Sequence, residues 1–309
     1  MKKDSIGLFD GPVFPIPTFF LKDYSIDWEG LKRYCSFLIN NGVKNVMTTV
    51  GTSRFNLLSL DEINEVNKVV ISELSGKAYV IASTAPFGHL ETAIENVRIS
   101  EKFGANASLI VFPDRNYGDR YVSNFFRSIA NKTEIDLFVH AEPIKNGLGG
   151  GSIKYSISLL HDLFKNPRIV GLKEESLDIG HSQVIYNEFA KKVILIGAGG
   201  SMSRFVRDNW FGAKTYLAGI GNFLPALELD FFKAMSQENF NKAKKIVNNQ
   251  EIPYFNTVVP CGWHPALKYS ISCLDLGLAD FERCPMMILS DEHKKIVDLA
   301  MSRFLGFNH

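Results

Sequence analysis

The sequence is poor in cysteine and has no long hydrophobic run. Its four cysteines are scattered, with no pair spaced as Cys-x-x-Cys or Cys-x-x-x-Cys. We therefore expect neither a disulfide framework nor a zinc site, but reduced thiols in a cytoplasmic protein. No run of about 18 apolar residues is present that would predict a membrane-spanning helix. Lys2 and Lys3 are followed by no apolar stretch, so a signal peptide is not expected either.

The sequence also lacks an excess of either charge. Lys and Arg number 34 against 33 Asp and Glu, which gives a formal net charge of +1. This balance does not favour a nucleic acid or an anionic membrane as partner. Hydrophobic residues make up 46% and charged residues 22%, a mixture typical of globular proteins that excludes a disordered chain. The 309 residues suffice for one large α/β domain with an appendage, and this size favours an enzyme.

Short apolar runs alternate with amphipathic stretches over the first 224 residues. The stretch Trp28–Asn41, for example, places Leu31, Cys35 and Leu38 on one face, as an α-helix does. The predicted strands are Val13–Pro17, Lys44–Thr49, Ala78–Ser83, Ser108–Phe112, Asp136–Ala141, Ile169–Lys173, Val193–Ile196 and Thr215–Gly219. Because these runs are apolar on both faces, they predict an all-parallel sheet covered by helices.

Eight strand–helix units predict an α/β fold, the (β/α)8 TIM barrel, with a doubly wound open sheet as the alternative. The alternation ends after Leu224, and the pattern of the remaining residues is largely helical. We therefore predict a barrel over residues 1–230. A C-terminal helical segment over residues 231–309 is expected to pack on it.

The carboxyl ends of barrel strands are where such folds carry their active sites. Lys173 ends predicted strand six, and an amine buried there can attack a ketone and form a Schiff base. The alternative is a structural lysine paired with Glu174 or Glu175. His140 ends predicted strand five, where an imidazole could serve as acid or base near neutral pH.

Residues near three other strand ends complete the candidate site. The turn Gly51-Thr52-Ser53-Arg54 offers backbone N–H groups and a guanidinium that suit a carboxylate or a phosphate. The glycine-rich turn Gly197–Ser201 resembles a phosphate-binding turn before a helix. Leu217 lies on predicted strand eight and is a candidate for the pocket wall. No set of metal-ligating residues stands out at the strand ends, so no metal site is expected.

Several segments of the sequence match one known pattern. They are GPVFPIPTFF at Gly11–Phe20, VGTSRF at Val50–Phe55 followed by LSLDE, IVGLKE at Ile169–Glu174, GIGN at Gly219–Asn222, and the helical C-terminal segment. Together they resemble the dihydrodipicolinate synthase / N-acetylneuraminate lyase family of Schiff-base aldolases and lyases, over nearly the whole chain. The resemblance implies a barrel fold and, by analogy, a homo-oligomer, either a dimer or a homotetramer.

The resemblance also implies roles for single residues. Lys173 corresponds to the lysine that forms the Schiff base, and Thr52 to the second threonine of the family's turn after strand two. His140 stands in the place of the family's proton-relaying tyrosine, so we expect this histidine to take over the proton transfer. Lys145 corresponds to the basic residue that grips a second carboxylate in the synthases. The family's second tyrosine is absent from the segment Phe112–Arg115.

The expected activity is that of a Schiff-base lyase, aldolase or hydro-lyase on a pyruvate-like or other acidic 2-keto acid. Arg54, Arg115 and Lys145 would make its pocket cationic, and no cofactor beyond the covalent imine is expected. Two alternatives stay open. One is a barrel without catalysis that binds a keto acid or a partner protein, which the loss of both tyrosines favours. The other is a sugar-phosphate enzyme that uses the turn Gly197–Ser201.

Overall fold

The computed structural model of the chain covers most of the sequence. It describes residues 11–113, 115–141, 144–146, 152–176, 178–197 and 199–307, and for 144–146, 152 and 153 it describes the backbone alone. Asp114, Glu142, Pro143 and Ala198 lie outside the described residues, as does the Lys145 side chain.

Eight parallel strands form a closed barrel in the order of the chain. They are β1 Val13–Pro15, β2 Asn45–Thr48, β3 Tyr79–Ser83, β4 Ala107–Ile110, β5 Asp136–Ala141, β6 Ile169–Glu174, β7 Ile194–Gly197 and β8 Thr215–Tyr216. A parallel bridge between Val13 and Leu217 closes the ring, and the Ala218 N–H donates to the Val13 carbonyl at 2.8 Å. The predicted (β/α)8 fold is confirmed, and each observed strand overlaps its predicted run.

Helices surround the barrel and continue beyond it. They are α1 Trp28–Asn40, α2 Leu60–Leu74, α3 Leu90–Phe103, α4 Asp119–Lys132, α5 Ile157–Leu163, α6 Ile179–Phe189, α7 Met202–Trp210, α8 Pro225–Ser236, α9 Phe240–Ile246, α10 Ile252–Val258, α11 Trp263–Ser272 and α12 Asp291–Leu305. A π-helical stretch, Val247–Glu251, joins α9 to α10. The predicted boundary at residue 230 falls inside α8. No helix among the described residues is both long and apolar enough to cross a bilayer.

Apolar side chains fill the barrel interior. Ile81, Leu109, Phe138 and Ile194 belong to one buried cluster, which is separate from the larger cluster between strands and helices. Gly171 in β6 makes room for this packing, because a Cβ there would come within 2.2 Å of the Phe138 ring. The filled interior leaves the carboxyl ends of the strands as the place for a cavity.

A small three-stranded sheet lies apart from the barrel and was not predicted. Its strands are Arg115–Asn116, Ile144–Asn146 and Ser152–Ile153. The first pair is parallel and the second antiparallel. The antiparallel pair therefore belongs to a sheet outside the barrel, whose own strand pairs are parallel throughout.

Glu228 of α8 is a buried carboxyl within this scaffold, and it makes stability depend on pH. Its Oε2 accepts the Gly221 N–H at 2.7 Å. Burial raises the pKa of Glu228 to about 7, whereas the same group ionises near 4.5 when unfolded. Between these pH values the folded state binds the additional proton, so this group's contribution to the free energy of unfolding falls as pH rises.

We expect Glu228→Gln to stabilise the protein at pH 8 by about 3 kcal/mol, because an amide needs no ionisation. At pH 4 the variant and the parent protein should differ little. Urea denaturation at both pH values measures the difference. Glu95→Gln on the exposed side of α3 is the matched control and should change stability equally at both values. An equal effect of Glu228→Gln at both values would contradict the assignment.

Candidate active site

Lys173 lies at the carboxyl end of β6, and its side chain is 2% exposed. The pairing of β5 with β6 shifts register here, since Leu137 faces Ile169 but Phe138 faces Gly171. One additional residue, Val170, is thereby inserted into β6. Such a bulge reverses the face to which the following side chains point. It places Lys173 directly opposite His140 in the register.

Lys173, His140 and Glu175 form a three-membered cluster. Lys173 Nζ lies 2.8 Å from His140 Nε2 and donates to Glu175 Oε2 at 2.5 Å. His140 Nε2 lies 2.6 Å from the same carboxylate oxygen. Burial opposes ionisation of Glu175, but the Lys173 charge and the hydrogen bond from His140 outweigh it and hold the pKa of Glu175 well below its usual range. The carboxylate therefore stays ionised and holds the amine and the imidazole in contact with each other.

Glu174 points away from this cluster. Its carboxylate accepts from the Ser182 hydroxyl at 2.9 Å and from Arg204 Nη2 at 3.0 Å, behind the strand. Alternation along a strand explains the difference, because successive side chains point to opposite faces. Of the two carboxylates that the sequence offered as partners for Lys173, the structure pairs it with Glu175.

A cavity of about 290 Å³ opens above the cluster. Its wall comes from the ends of β2, β5, β6 and β8, from the turn after β7 and from the start of α11. The lining residues are Val50, Gly51, Thr52, Phe55, His140, Lys173, Glu175, Gly199, Gly200, Leu217, Ala218, Trp263, His264 and Leu267. Among the described parts of the chain, no three His, Cys, Asp or Glu side chains are grouped to hold a metal ion.

Five of the residues named from the sequence line this cavity together. They are Gly51, Thr52, His140, Lys173 and Leu217. Gly51 and Thr52 begin a 3-10 turn, so that turn does not use their N–H groups. Thr49 and Arg54, on either side of the turn, have φ values of 52° and 61°. Such left-handed backbone is unfavourable for a β-branched residue and is often retained at functional sites.

The other named residues lie elsewhere. The Ser53 side chain is buried, and its hydroxyl donates to the Ile16 carbonyl instead of lining the cavity. Arg115 is exposed on the small sheet, where its backbone pairs with Lys145. Gly197 is the last residue of β7, below the cavity, which Gly199 and Gly200 reach instead.

Arg54 is turned away from the cavity wall into a buried ion pair. Its Nη2 and Nε donate to Glu282 Oε1 at 2.6 and 3.0 Å, and the two side chains are 6% and 1% exposed. Lys268 Nζ lies 3.2 Å from the other oxygen of Glu282. A buried guanidinium requires a counter-charge, and Glu282 supplies it from a position 228 residues away. The pocket is consequently less cationic at Arg54 than the sequence predicts.

The glycine-rich turn after β7 packs closely against the end of β8. A Cβ on Gly219 would come within 2.0 Å of the Gly200 carbonyl oxygen, so position 219 requires glycine, while Gly199 and Gly200 have φ values of 94° and 58°, which favour glycine as well. The helix that follows this turn, α7, has its first N–H groups occupied. Glu251 accepts from the backbone of Met202 and, at 2.7 Å, from that of Ser203. This carboxylate takes the place where a phosphate would bind, which disfavours the sugar-phosphate alternative.

Sequence reasoning missed the part of the wall that the C-terminal segment provides. Trp263, His264 and Leu267 reach the cavity from α11, and Phe55 reaches it from the turn after Arg54. The signal was the pair Trp263-His264 after Gly262, two uncommon residue types at a helix start. The start of α11 is not a strand end, so the rule that locates barrel active sites does not point to it.

His264 is bound to Arg54, whose Nη1 lies 2.9 Å from His264 Nδ1. Burial, with the nearby Arg54 charge, lowers the pKa of His264 to about 4. Burial likewise lowers the pKa of Lys268 to about 8. The cavity thus combines an amine, a carboxylate and two imidazoles with aromatic walls.

The chain is similar to known proteins in sequence and in fold. The model of the Dihydrodipicolinate synthetase family matches residues 8–303. A 4-hydroxy-tetrahydrodipicolinate synthase of Brachyspira hyodysenteriae is 25% identical, over 97% of this chain and 99% of its own. A protein of Bacillus licheniformis named "Probable 5-dehydro-4-deoxyglucarate dehydratase" is 23% identical, over 98% and 97%. The N-acetylneuraminate lyase structure from Fusobacterium nucleatum superposes with a TM-score of 0.84 at 17% identity, covering 95% and 98%.

Proposed function

Since the chain belongs to the dihydrodipicolinate synthetase family, we propose that it is a lyase that binds a 2-keto acid as an imine on Lys173. The observation that carries this proposal is the contact of Lys173 Nζ with both His140 Nε2 and Glu175 Oε2 beside a cavity. A buried lysine with a purely structural role would need only a counter-charge. Lys173 also contacts the His140 imidazole and lines a cavity.

The cluster can supply the protons that imine formation moves. The Lys173 ammonium first passes a proton to His140, and the neutral amine attacks C2 of the keto acid. The electron pair of the carbonyl goes to oxygen, which takes up a proton while the attacking nitrogen loses one, and a neutral carbinolamine results. A second proton then lets the hydroxyl leave as water while the nitrogen gives up its remaining proton, so one ketone and one amine yield one imine and one water.

The turn at Gly51 and Thr52 suits the carboxylate of such a substrate. Both residues line the cavity, and their N–H groups are the first of a 3-10 turn. Backbone N–H groups in this arrangement favour an anion. With the carboxylate there and C2 at Lys173, the rest of the substrate would extend toward α11.

The relatives carry different reactions on the same framework. Their names describe a synthase, a dehydratase and a lyase. A bound 2-keto acid whose imine withdraws electrons can undergo either C–C or C–O cleavage at the neighbouring carbons. We therefore propose the reaction class, carbon–carbon or carbon–oxygen lyase, and let a substrate panel select between the two.

Borohydride reduction tests the proposal directly. Incubation with pyruvate, 2-oxobutanoate or 2-oxoglutarate, followed by reduction, should add one reduced adduct per chain, and peptide mapping should locate it on Lys173. The products of turnover then assign the reaction. Release of an aldehyde indicates carbon–carbon cleavage, and a product that has lost water indicates carbon–oxygen cleavage. If no keto acid of the panel gives an adduct, the alternative of a barrel without catalysis replaces this proposal.

A further inference from the structure

We propose that His264 determines substrate specificity by donating a hydrogen bond from Nε2 to an uncharged oxygen, a hydroxyl or carbonyl, beyond the keto group of the substrate. Arg54 acts through His264 as its positioning residue. The inference rests on the proposed function for the keto group, and it assigns a different part of the substrate to α11.

The contact with Arg54 determines which nitrogen of His264 carries the hydrogen. A guanidinium has five N–H donors, accepts no hydrogen bond and keeps its charge. At 2.9 Å from Arg54 Nη1, His264 Nδ1 must therefore be the acceptor. The single ring hydrogen of the neutral imidazole is then on Nε2.

Arg54 is held firmly enough to impose this tautomer. Nη1 also donates to the Thr52 carbonyl at 3.1 Å, while Nη2 and Nε are engaged by Glu282. The backbone of Thr52 belongs to the turn proposed to bind the carboxylate. One buried guanidinium thus connects the proposed carboxylate site to the proposed specificity residue.

Burial and the Arg54 charge keep His264 neutral. A second ring proton would be placed on Nδ1, facing the Arg54 cation. Lys268 is a further cation in this cluster, while Glu282 and Glu175 are its anions. Burial and Arg54 together outweigh the two carboxylates, and the pKa of His264 lies near 4.

A neutral donor favours a neutral acceptor. A second substrate carboxylate at His264 would be desolvated without a cation in contact with it, because Arg54 is engaged by His264, Thr52 and Glu282 and neither Arg54 nor Lys268 lines the cavity, whereas the Glu175 carboxylate does. A hydroxyl or carbonyl oxygen has no such penalty. Trp263 and Phe55 on the same wall provide apolar surface for the carbon chain between the two polar ends.

Two matched ligands test the inference. They are 5-hydroxy-2-oxopentanoate and 2-oxopentanoate, which differ only by the terminal hydroxyl. The concentration that gives half-maximal borohydride trapping should be about 3- to 10-fold lower for the hydroxylated ligand, the usual effect of one net hydrogen bond. His264→Gln retains an N–H donor and should keep part of this ratio, whereas His264→Phe should bring the ratio to about one. A ratio of one in the parent protein would overturn the inference.

The tautomer is measured without any reaction. In ¹⁵N-histidine-labelled protein, the His264 signals, assigned by their loss in His264→Gln, should show Nε2–H throughout pH 6–8. Arg54→Met should produce a mixture of tautomers. An Nδ1–H tautomer in the parent protein would contradict the inference. If no imine forms but 5-hydroxy-2-oxopentanoate shifts the Nε2 signal and 2-oxopentanoate does not, the inference stands and the proposed imine chemistry falls.

Discussion

Replacing Lys173 with methionine is expected to abolish the borohydride adduct and to lower turnover by at least about 10⁴-fold, since Lys173 is the only amine among the described residues that line the cavity. Methionine has a similar length and leaves no large void in the cluster. Glu175 loses its ammonium partner but is 34% exposed, so water can reach its charge. The variant should therefore fold, which circular dichroism and thermal unfolding would check.

Lys268 offers a matched control for this result. It is a second buried lysine, and burial lowers its pKa to about 8, so more of it is a free amine at neutral pH than of an ordinary lysine. Its ammonium, however, lies 4.3 Å from the centre of the Phe20 ring and pairs with Glu282, outside the residues that line the cavity. Lys268→Met should keep the adduct on Lys173. An adduct that survives in Lys173→Met and maps to Lys268 would refute the assignment.

Removing the imidazole of His140 should slow turnover by about 10²–10⁴-fold, the range of a general acid–base group. His140→Phe leaves the amine and the carboxylate in contact but removes the group that touches both. The proton that the departing hydroxyl needs must then come from water, because Glu175 stays ionised. His140→Tyr should retain part of the activity, because a phenol can donate and accept at the same place. Steady-state rates across the pH range measure both variants.

Glu175→Gln provides the companion measurement. The amide lacks the charge that holds Lys173 and His140 together, so formation of the imine should slow together with turnover. Glu174→Gln is the matched control on the same strand end, since Glu174 pairs with Arg204 on the opposite face. It should lower the free energy of unfolding and change turnover by less than about 10-fold.

The outcome for His140→Phe decides the role of the histidine. If the turnover of this variant remains within a few-fold of the parent rate, the histidine only fills space and the proposed proton transfer is wrong.

The barrel could be predicted because its information is local. Each strand needs a short run that is apolar on both faces, and each helix needs one apolar stripe, so the repeat of these patterns is readable without any long-range partner. Lys173 and His140 were readable for the same reason, since their positions at strand ends follow from the repeat. Glu175 follows from Lys173 by alternation, because residues two apart on a strand point to the same face. The bulge at Val170, which decides the face that Lys173 itself takes, is recorded only in the pairing of β5 with β6.

The sequence by itself determined the eight strands, the helical C-terminal segment and the lysine at the end of β6. The tertiary structure alone decided which charges reach the cavity. Arg54 lies in a turn whose sequence predicts an anion-binding site, yet its guanidinium pairs with Glu282. His264, 210 residues further along the chain, contributes to the cavity wall from α11. A buried ion requires a counter-ion, and tertiary packing decides which one lies close enough. For Arg54 this depends on how α11 and the following loop pack on the barrel, which no local sequence pattern shows.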